Sequence, residues 1–258
     1  MTFDRTELQQ YPNTGRFLAG RLRQAMSDRE KRLLEDLVDD PVELEDGHTI
    51  LQRGQLCSHS TMLIEGFLLR RIEQDGEPSI VALQVPGDFA DLHAFALKRL
   101  DHDLVTLGPA RVGRVPHDRL QAVVAQEPHL ARLLWFSTLL DAAIHREWIV
   151  SLEALDAPRR TAHLLCEIDY RLEQVGLAEP GRMKTPLTQV HLAKMVGISA
   201  VHMNRVVREL RERELADIQR GTVVVPDRAR LCAYARFEPD YLYGDGDFAV
   251  RGELALAE

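Results

Sequence analysis

From Pro128 to Leu155 the chain reads PHLARLLWFSTLLDAAIHREWIVSLEAL, with no glycine and no proline after the first residue. An uninterrupted apolar-periodic stretch of this length is more than twice an average helix. Leu130, Leu134, Ile144, Trp148 and Leu155 fall near one stripe of that helix, and Leu133, Phe136, Leu140, Ala143 and Val150 near another. Two apolar stripes need two partners. One can cover a neighbouring domain; the other, left to solvent in a monomer, is most simply met by its own copy in a parallel two-helix seam. Burial of the whole helix inside one large single-chain core is the other arrangement the pattern allows.

On either side of this helix the period changes. Ser27 is placed to cap a short helix over residues 27–40, SDREKRLLEDLVDD. From Val42 to Val115 the segments are short, partly alternating and rich in Val, Ile and Leu, as in HTIL, STMLIEGFLLRRI, PSIVALQV and ARVGRVP. Glycine-centred turns separate them at about ten-residue spacing, the pattern of an antiparallel β-sandwich or barrel. After the long helix, DAPRR at 156–160 breaks the pattern ahead of a new helix, TAHLLCEIDYRLEQVG, and a polar loop, LAEPGRMKTP. The organisation expected is α+β: an N-terminal extension (1–26), a β-rich domain (27–126), the long helix (127–156), a helical unit (157–237) and an acidic tail (238–258). The tail mixes glycine and acid with aromatics and is expected to be loosely ordered or packed only locally.

Composition narrows the class. The formal charge of −8 argues against nucleic acid only as an average, because residues 157–237 hold 14 Lys and Arg against 9 Asp and Glu. An acidic body therefore carries a basic C-terminal unit, whose local field attracts phosphate. No run approaches the roughly 18 apolar residues of a membrane span, and the polar N-terminus does not resemble a signal peptide, so a cytoplasmic protein with no membrane partner is expected. Cys57, Cys166 and Cys232 lie far apart in sequence, which offers neither a disulfide framework nor a CxxC metal motif and reads as buried or incidental thiols.

Within the basic unit, residues 188–210 read TQVHLAKMVGISAVHMNRVVREL. Leu187, Val190, Leu192, Ala193 and Val196 supply an apolar face with Thr188 as cap. Gly197 makes the turn, Ser199 can cap a second helix, and Met203, Val206, Val207 and Leu210 form its buried face. That leaves Ala200, Val201, His202, Asn204, Arg205, Arg208 and Glu209 near or on the outward side. A helix in the major groove offers such residues to base edges. Arg205 can bond a guanine edge in two places and Asn204 an adenine edge, while Ala200 or Val201 can touch thymine methyls. Thr188, Gln189, Ser199, His202 and Arg208 suit phosphate contacts, which fix register. The segment ADIQRGTVVVPD follows as a hairpin, with Arg220 and Thr222 at its tip as a wing against the sugar-phosphate backbone, and RARLCAYARF (228–237) can form one more helix.

A β-rich domain, a long helix and a winged helix-turn-helix in this order resemble the Crp/Fnr family of bacterial transcription regulators, over about residues 30–226. The residues carrying the resemblance are LTQVHLAKMVGISAVHMNRVVRELRERELADIQRGTVVV and the β-domain segments GHTILQRGQ, IEGFLLRR and VPGDFADLHAF. The resemblance implies a homodimer, a sensory β-roll resembling a cyclic-nucleotide-binding domain, paired long helices, and two recognition helices on a palindromic double-stranded DNA site, with RNA polymerase as a further partner.

The likeness is stronger at the output end than at the input end. Cyclic-nucleotide-binding members carry a Glu after GDF and an Arg before Ser/Thr-Ala. In PGDFADLHAFALKRLDHDLVTLGP, Asp91 stands for the Glu, while Leu100-Asp101-His102-Asp103 occupies the place of the Arg triplet. Two acids there repel a phosphate, so cyclic AMP is not the expected effector, with Arg99 the nearest base. No cysteine occurs in the first 30 residues, so no iron–sulfur cluster is expected. Gly87, Asp88, Asp91, His93, Arg99, His102, His145 and Arg146 form the candidate effector pocket; the effector itself, and any cofactor, is unassigned, and a metal is not expected. A cupin-type enzyme needs clustered His and Glu ligands, and the β-segment histidines His48, His59, His93, His102 and His117 show no such spacing, so no enzymatic role is expected. A dimeric ligand-binding or adaptor protein that has lost DNA binding is the alternative, and Arg205 and Arg208 speak against it.

Overall fold

The computed structural model describes residues 3–39, 41–219 and 221–244. A short helix, α1 (Thr6–Gln10), and a 3-10 turn (Arg23–Ala25) precede α2 (Asp28–Leu37). Ser27 starts α2 through a capping box: its hydroxyl accepts from the Glu30 N–H at 3.2 Å while the Glu30 carboxylate accepts from the Ser27 N–H at 2.8 Å.

Strands β1 (Val42–Leu44), β2 (Thr49–Leu51), β3 (His59–Gln74), β4 (Glu77–Gln84) and β5 (Asp103–Pro116) form one connected antiparallel sheet in the order β1-β5-β3-β4, with β2 also on β5. Asp75 and Gly76, both at positive φ, make the two-residue turn between β3 and β4. Register shifts at Leu63/Glu65, Glu65/Phe67 and Arg70/Arg71 bend β3 so that the sheet curls over Leu63, Leu68, Leu104 and Val112. Helix α3 (Ala94–Leu97) lies in the connection from β4 to β5, and α4 (His117–Gln126) leads to α5 (Pro128–Ala154).

Helix α5 confirms the uninterrupted stretch but corrects its faces. Leu130, Leu133 and Leu134 are buried with Leu34, Met62, Val115 and Leu120 beside the sheet. Leu140 and Ile144 are buried in a second core with the C-terminal helices. Both expected stripes are thus largely consumed within one chain, Val150 excepted. A third stripe is left: Arg132, Trp135, Leu139, Ala142, Arg146, Ile149 and Glu153, alternating three and four residues apart, with Trp135 65% and Ile149 64% exposed.

Helix α6 spans Ala157–Gln174. It begins inside the APRR segment rather than after it, because Asp156 caps the Arg159 N–H at 3.0 Å and Pro158 fits the first turn, where no N–H is needed. Strand β6 (Arg182–Lys184), α7 (Gln189–Met195), α8 (Ala200–Glu212), β7 (Asp217–Gln219), β8 (Thr222–Val224), α9 (Arg228–Ala235) and a 3-10 turn (Pro239–Leu242) complete the described chain, and the three strands pair in the order β6-β8-β7.

Both ends of the described chain are packed onto it. In the N-terminal extension Tyr11, Thr14, Phe17, Leu18, Ala19 and Met26 are buried. Its backbone at Asn13 and Thr14 donates to Glu35 at 3.0 and 2.9 Å, Arg16 reaches the Val175 carbonyl at 3.2 Å, and Arg21 reaches the Leu242 carbonyl at 2.7 Å. The first part of the acidic tail is equally fixed. Leu242 is fully buried, Tyr241 donates to Glu167 at 2.9 Å, and the Tyr243 ring meets Phe136 of α5 edge-on, so its packing is not local. The remainder of the tail, 245–258, lies outside the described residues.

Candidate nucleic-acid interface

Helices α7 and α8 are built as their sequences require. The Thr188 hydroxyl accepts from the His191 N–H, and the His191 ring nitrogen accepts from the Thr188 N–H, each at 3.2 Å. Leu187, Leu192, Ala193 and Val196 are buried; Val190, expected on that face, is instead about half exposed, since the first turn of α7 projects past the core. Gly197 turns the chain at φ 67°, where a side chain would be strained and its Cβ would sit 3.4 Å from Leu152 of α5. Ser199 accepts from the His202 N–H at 3.2 Å, and α8 then buries Met203, Val206, Val207 and Leu210.

This burial leaves Ser199, Ala200, Val201, His202, Asn204, Arg205 and Arg208 on one exposed surface, with Thr188 exposed and Gln189 half-buried at the start of α7. The cations there are not equivalent. Arg208 lies 4.0 Å from Glu212, Arg211 pairs with Asp217 at 2.7 Å, and Arg213 pairs with Glu209 at 2.9 Å. Among the described residues Arg205 has no carboxylate partner. An exposed guanidinium on the second turn of a helix, with Asn204 and His202 as neighbours, is a surface that can bond a base edge and phosphate together.

The wing is as expected in part and larger than expected. Gln219 pairs with Thr222 across a two-residue connection in which Gly221 has φ 76°; Arg220 lies outside the described residues. Thr222 is half-buried within β8 rather than free at a tip. The polar loop LAEPGRMKTP contributes β6, which adds exposed Arg182 and Lys184 to the sheet while Met183 is buried. A three-residue alternation is too short to stand out from a loop by pattern alone.

The candidate effector residues divide between two places. Gly87, at φ 98°, lies against the extension: a Cβ there would fall 2.5 Å from the Arg16 carbonyl oxygen. Asp88 accepts from the Val85 N–H at 2.9 Å and from Arg171 of α6 at 2.7 Å. Arg99 is exposed and donates to the Gly54 carbonyl at 2.7 Å, and Arg146 lies on the free stripe of α5. Asp91 is fully buried and accepts from both the Thr61 N–H and the Thr61 hydroxyl; burial raises its carboxyl to about 6.

Around Arg70 the other residues come together. Arg70, buried in β3 and absent from the sequence candidates, donates to Asp141 of α5 at 2.6 Å and to the Ala90 carbonyl at 3.0 Å. Burial disfavours charge on Asp141, but Arg70 outweighs it and holds that carboxyl below its usual range. The His93 and His102 rings lie 5.5 Å apart, and burial, reinforced by Arg70, lowers both, His93 to about 4. His102 pairs with exposed Asp101 at 2.7 Å, and His145 bonds the Asp141 carbonyl at 2.7 Å. A polar cluster between sheet and long helix is thus centred on an arginine the charge pattern could have flagged, since Arg70 interrupts the apolar run FLLRRI. Among the described residues, no group of three or more His, Cys, Asp or Glu is placed to hold a metal.

Comparison with known proteins finds likeness in two parts of the chain. A cyclic nucleotide-binding domain model matches residues 41–127, and a Crp-like helix-turn-helix domain model matches residues 159–234. The CRP-like cAMP-activated global transcriptional regulator of Mycobacterium tuberculosis is 24% identical over 200 residues, covering 76% of this chain and 88% of that one. A probable transcriptional activator of Rhizobium leguminosarum bv. viciae is 25% identical over 190 residues, covering 73% and 78%. The structure of FixK2 from Bradyrhizobium japonicum superposes with a TM-score of 0.66 at 18% identity, over 76% of this chain and 96% of that one. With a curled antiparallel sheet, a long connecting helix and a winged helix-turn-helix in one chain, the protein belongs to the Crp/Fnr family of transcription regulators.

Proposed function

We propose that the protein acts as a homodimer that binds a palindromic site on double-stranded DNA, with α8 of each copy in a major groove and an effector acting through the sheet and α5. The observation that carries this reading is the exposed face of α8, where Arg205 stands without a carboxylate partner among the described residues while neighbouring arginines are paired. Arg205 and Asn204 are assigned to base edges, with Ala200 and Val201 against thymine methyls. Thr188, Gln189, Ser199, His202 and Arg208 are assigned to phosphate, together with the wing and its added cations Arg182 and Lys184. Dimerisation is assigned to the free stripe of α5, and RNA polymerase is the further partner expected of a regulator in the cytoplasm.

The effector is a polar molecule other than cyclic AMP. That relative from Mycobacterium tuberculosis is cAMP-activated, but here Asp91 is engaged by Thr61, and the position of a phosphate-binding Arg is held by Asp101 and Asp103, paired with His102 and the Arg53 N–H. Arg70, His93, His102 and His145 are the groups available to it. Selection of bound fragments from random duplex DNA by the full-length protein tests the reading. Enrichment of an inverted repeat by the wild type, with the repeat degenerate for Arg205→Ala, is the expected result; no enriched sequence would overturn it.

A further inference from the structure

The fold joins two cysteines that the sequence keeps 66 positions apart. Cys166 of α6 and Cys232 of α9 stand with their Sγ atoms 3.5 Å from each other, and both are free thiols. They lie on a seam that is already clamped: Arg228, one helical turn before Cys232, pairs with Asp169 at 2.9 Å and with Glu173 at 2.6 Å on α6. Asp169 lies one turn beyond Cys166, so the ion pairs and the thiols are successive rungs between the same two helices. The sulfurs need to approach by only about 1.5 Å to reach a bond length of about 2.05 Å. Cys166 is buried, whereas Cys232 is partly exposed, which gives a dissolved reactant access to one sulfur of the pair.

We propose that Cys166 and Cys232 form a reversible dithiol–disulfide pair whose oxidant is a hydroperoxide. Cys232 is the attacking sulfur. The Cys166 thiol beside it lowers Cys232 below the ordinary thiol range against the opposing effect of burial, and the Arg228 charge assists. The same contact, with burial, pushes Cys166 up. The Cys232 thiolate attacks the distal peroxide oxygen, the O–O bond breaks, and the departing alkoxide takes a proton to leave as an alcohol. The resulting sulfenic acid is attacked by the Cys166 sulfur; the S–S bond forms, the S–OH bond breaks, and hydroxide leaves as water with the Cys166 proton. Two thiols and one hydroperoxide thus give one disulfide, one alcohol and one water. The loop so closed contains α7, α8 and the wing, so oxidation joins the first and last helices of the DNA-binding unit and constrains its unfolded state.

Reduced full-length protein treated with hydrogen peroxide, then alkylated and mapped by mass spectrometry, tests the proposal. The expected product is a linked peptide pair holding Cys166 and Cys232, lighter by two hydrogens, with Cys57 still alkylated as a thiol. Its formation raises the thermal unfolding midpoint, and dithiothreitol returns the midpoint to its starting value. In Cys166→Ser, dimedone labels Cys232 after peroxide; in Cys232→Ser, Cys166 stays unlabelled. Full alkylation of both cysteines after peroxide would overturn the proposal, as would a cross-link found only between two chains, dimedone on Cys166, or a midpoint unmoved by oxidation.

Discussion

Arg205 and Arg208 face the same side of α8, one turn apart, yet their surroundings differ. Arg205 has no carboxylate partner among the described residues, whereas Arg208 lies 4.0 Å from Glu212. Arg205→Ala is expected to cost about 1–3 kcal/mol on the preferred site and to flatten preference at one base pair, as read by competition binding. Arg208→Ala is expected to weaken all sequences alike and to reduce the slope of log affinity against log salt by about one. The exposure of both side chains was legible because an exposed helical residue needs only its own spacing to be placed. Asp91 was not legible in the same way: it reads as an acid after a Gly-Asp-Phe turn, but Thr61, thirty positions upstream, takes its carboxyl through the register of the sheet. With the folded carboxyl at about 6 and an ordinary aspartate near 4, the folded state holds the extra proton between those values. Asp91 therefore contributes stability below about pH 4 that is lost as pH rises through 6. Asp91→Asn, which keeps the neutral form at every pH, is expected to match the wild type in denaturant unfolding near pH 4. It should exceed the wild type by on the order of 2 kcal/mol at pH 8; equal stability at both pH values would remove the assignment.

At the scale of an element, α5 shows why a strong periodic signal can be right about structure and wrong about faces. Its sequence is apolar on most sides, so any two stripes can be drawn through it, and only the packing of its neighbours decides which is left over. Leu133, Leu140 and Ala143 belong to one of the two stripes the sequence offers, either of which could have been the free one, but they are buried in the chain. The stripe that remains, Trp135, Leu139, Ala142 and Ile149, is interrupted by Arg132 and Arg146 and ends at Glu153, which hides it from a search for apolar runs. Its three-four alternation is the spacing of a two-stranded seam. In a parallel pair each residue meets its own copy, so Arg146 faces Arg146 across the axis, a like-charge contact that an anion between the copies would relieve. Trp135→Glu with Ile149→Glu places two further like-charge pairs in the seam. Light scattering at micromolar concentration is expected to find the wild type dimeric and the double variant monomeric, with circular dichroism unchanged because both residues are exposed in the single chain; a dimeric double variant would place the interface elsewhere.

In the whole molecule, the antiparallel sheet, the long helix, the DNA-binding unit and the described end of the tail are tied by one buried polar network. Asp88 from the turn after β4 accepts from Arg171 of α6 at 2.7 Å, and Arg171 reaches Glu167 at 3.3 Å. Glu167, with no exposed surface, also accepts from Trp148 of α5 at 3.0 Å and from Tyr241 at 2.9 Å. The order of elements was readable in the sequence, since turns, caps and periodicity are local; this network was not, because each of its members comes from a different element and each reads alone as an ordinary surface charge or aromatic. A buried pair adds little net stability over an apolar substitute, but removing one partner leaves the other charge without compensation. Arg171→Met strands Glu167 in the core and Asp88 at the domain boundary, and is expected to cost about 3–5 kcal/mol in denaturant unfolding. Adding Glu167→Gln restores a neutral acceptor for Trp148 and Tyr241, so the double variant is expected to recover a large part of that loss. If the network holds the DNA-binding unit against the sheet, the single variant should also expose the turn at Asp88 to faster amide exchange than the double variant does. Equal exchange in the wild type and the single variant would mean that the domains are held by their apolar seam alone, the one joining Leu69, Ile80 and Leu83 of the sheet to Leu192 of α7.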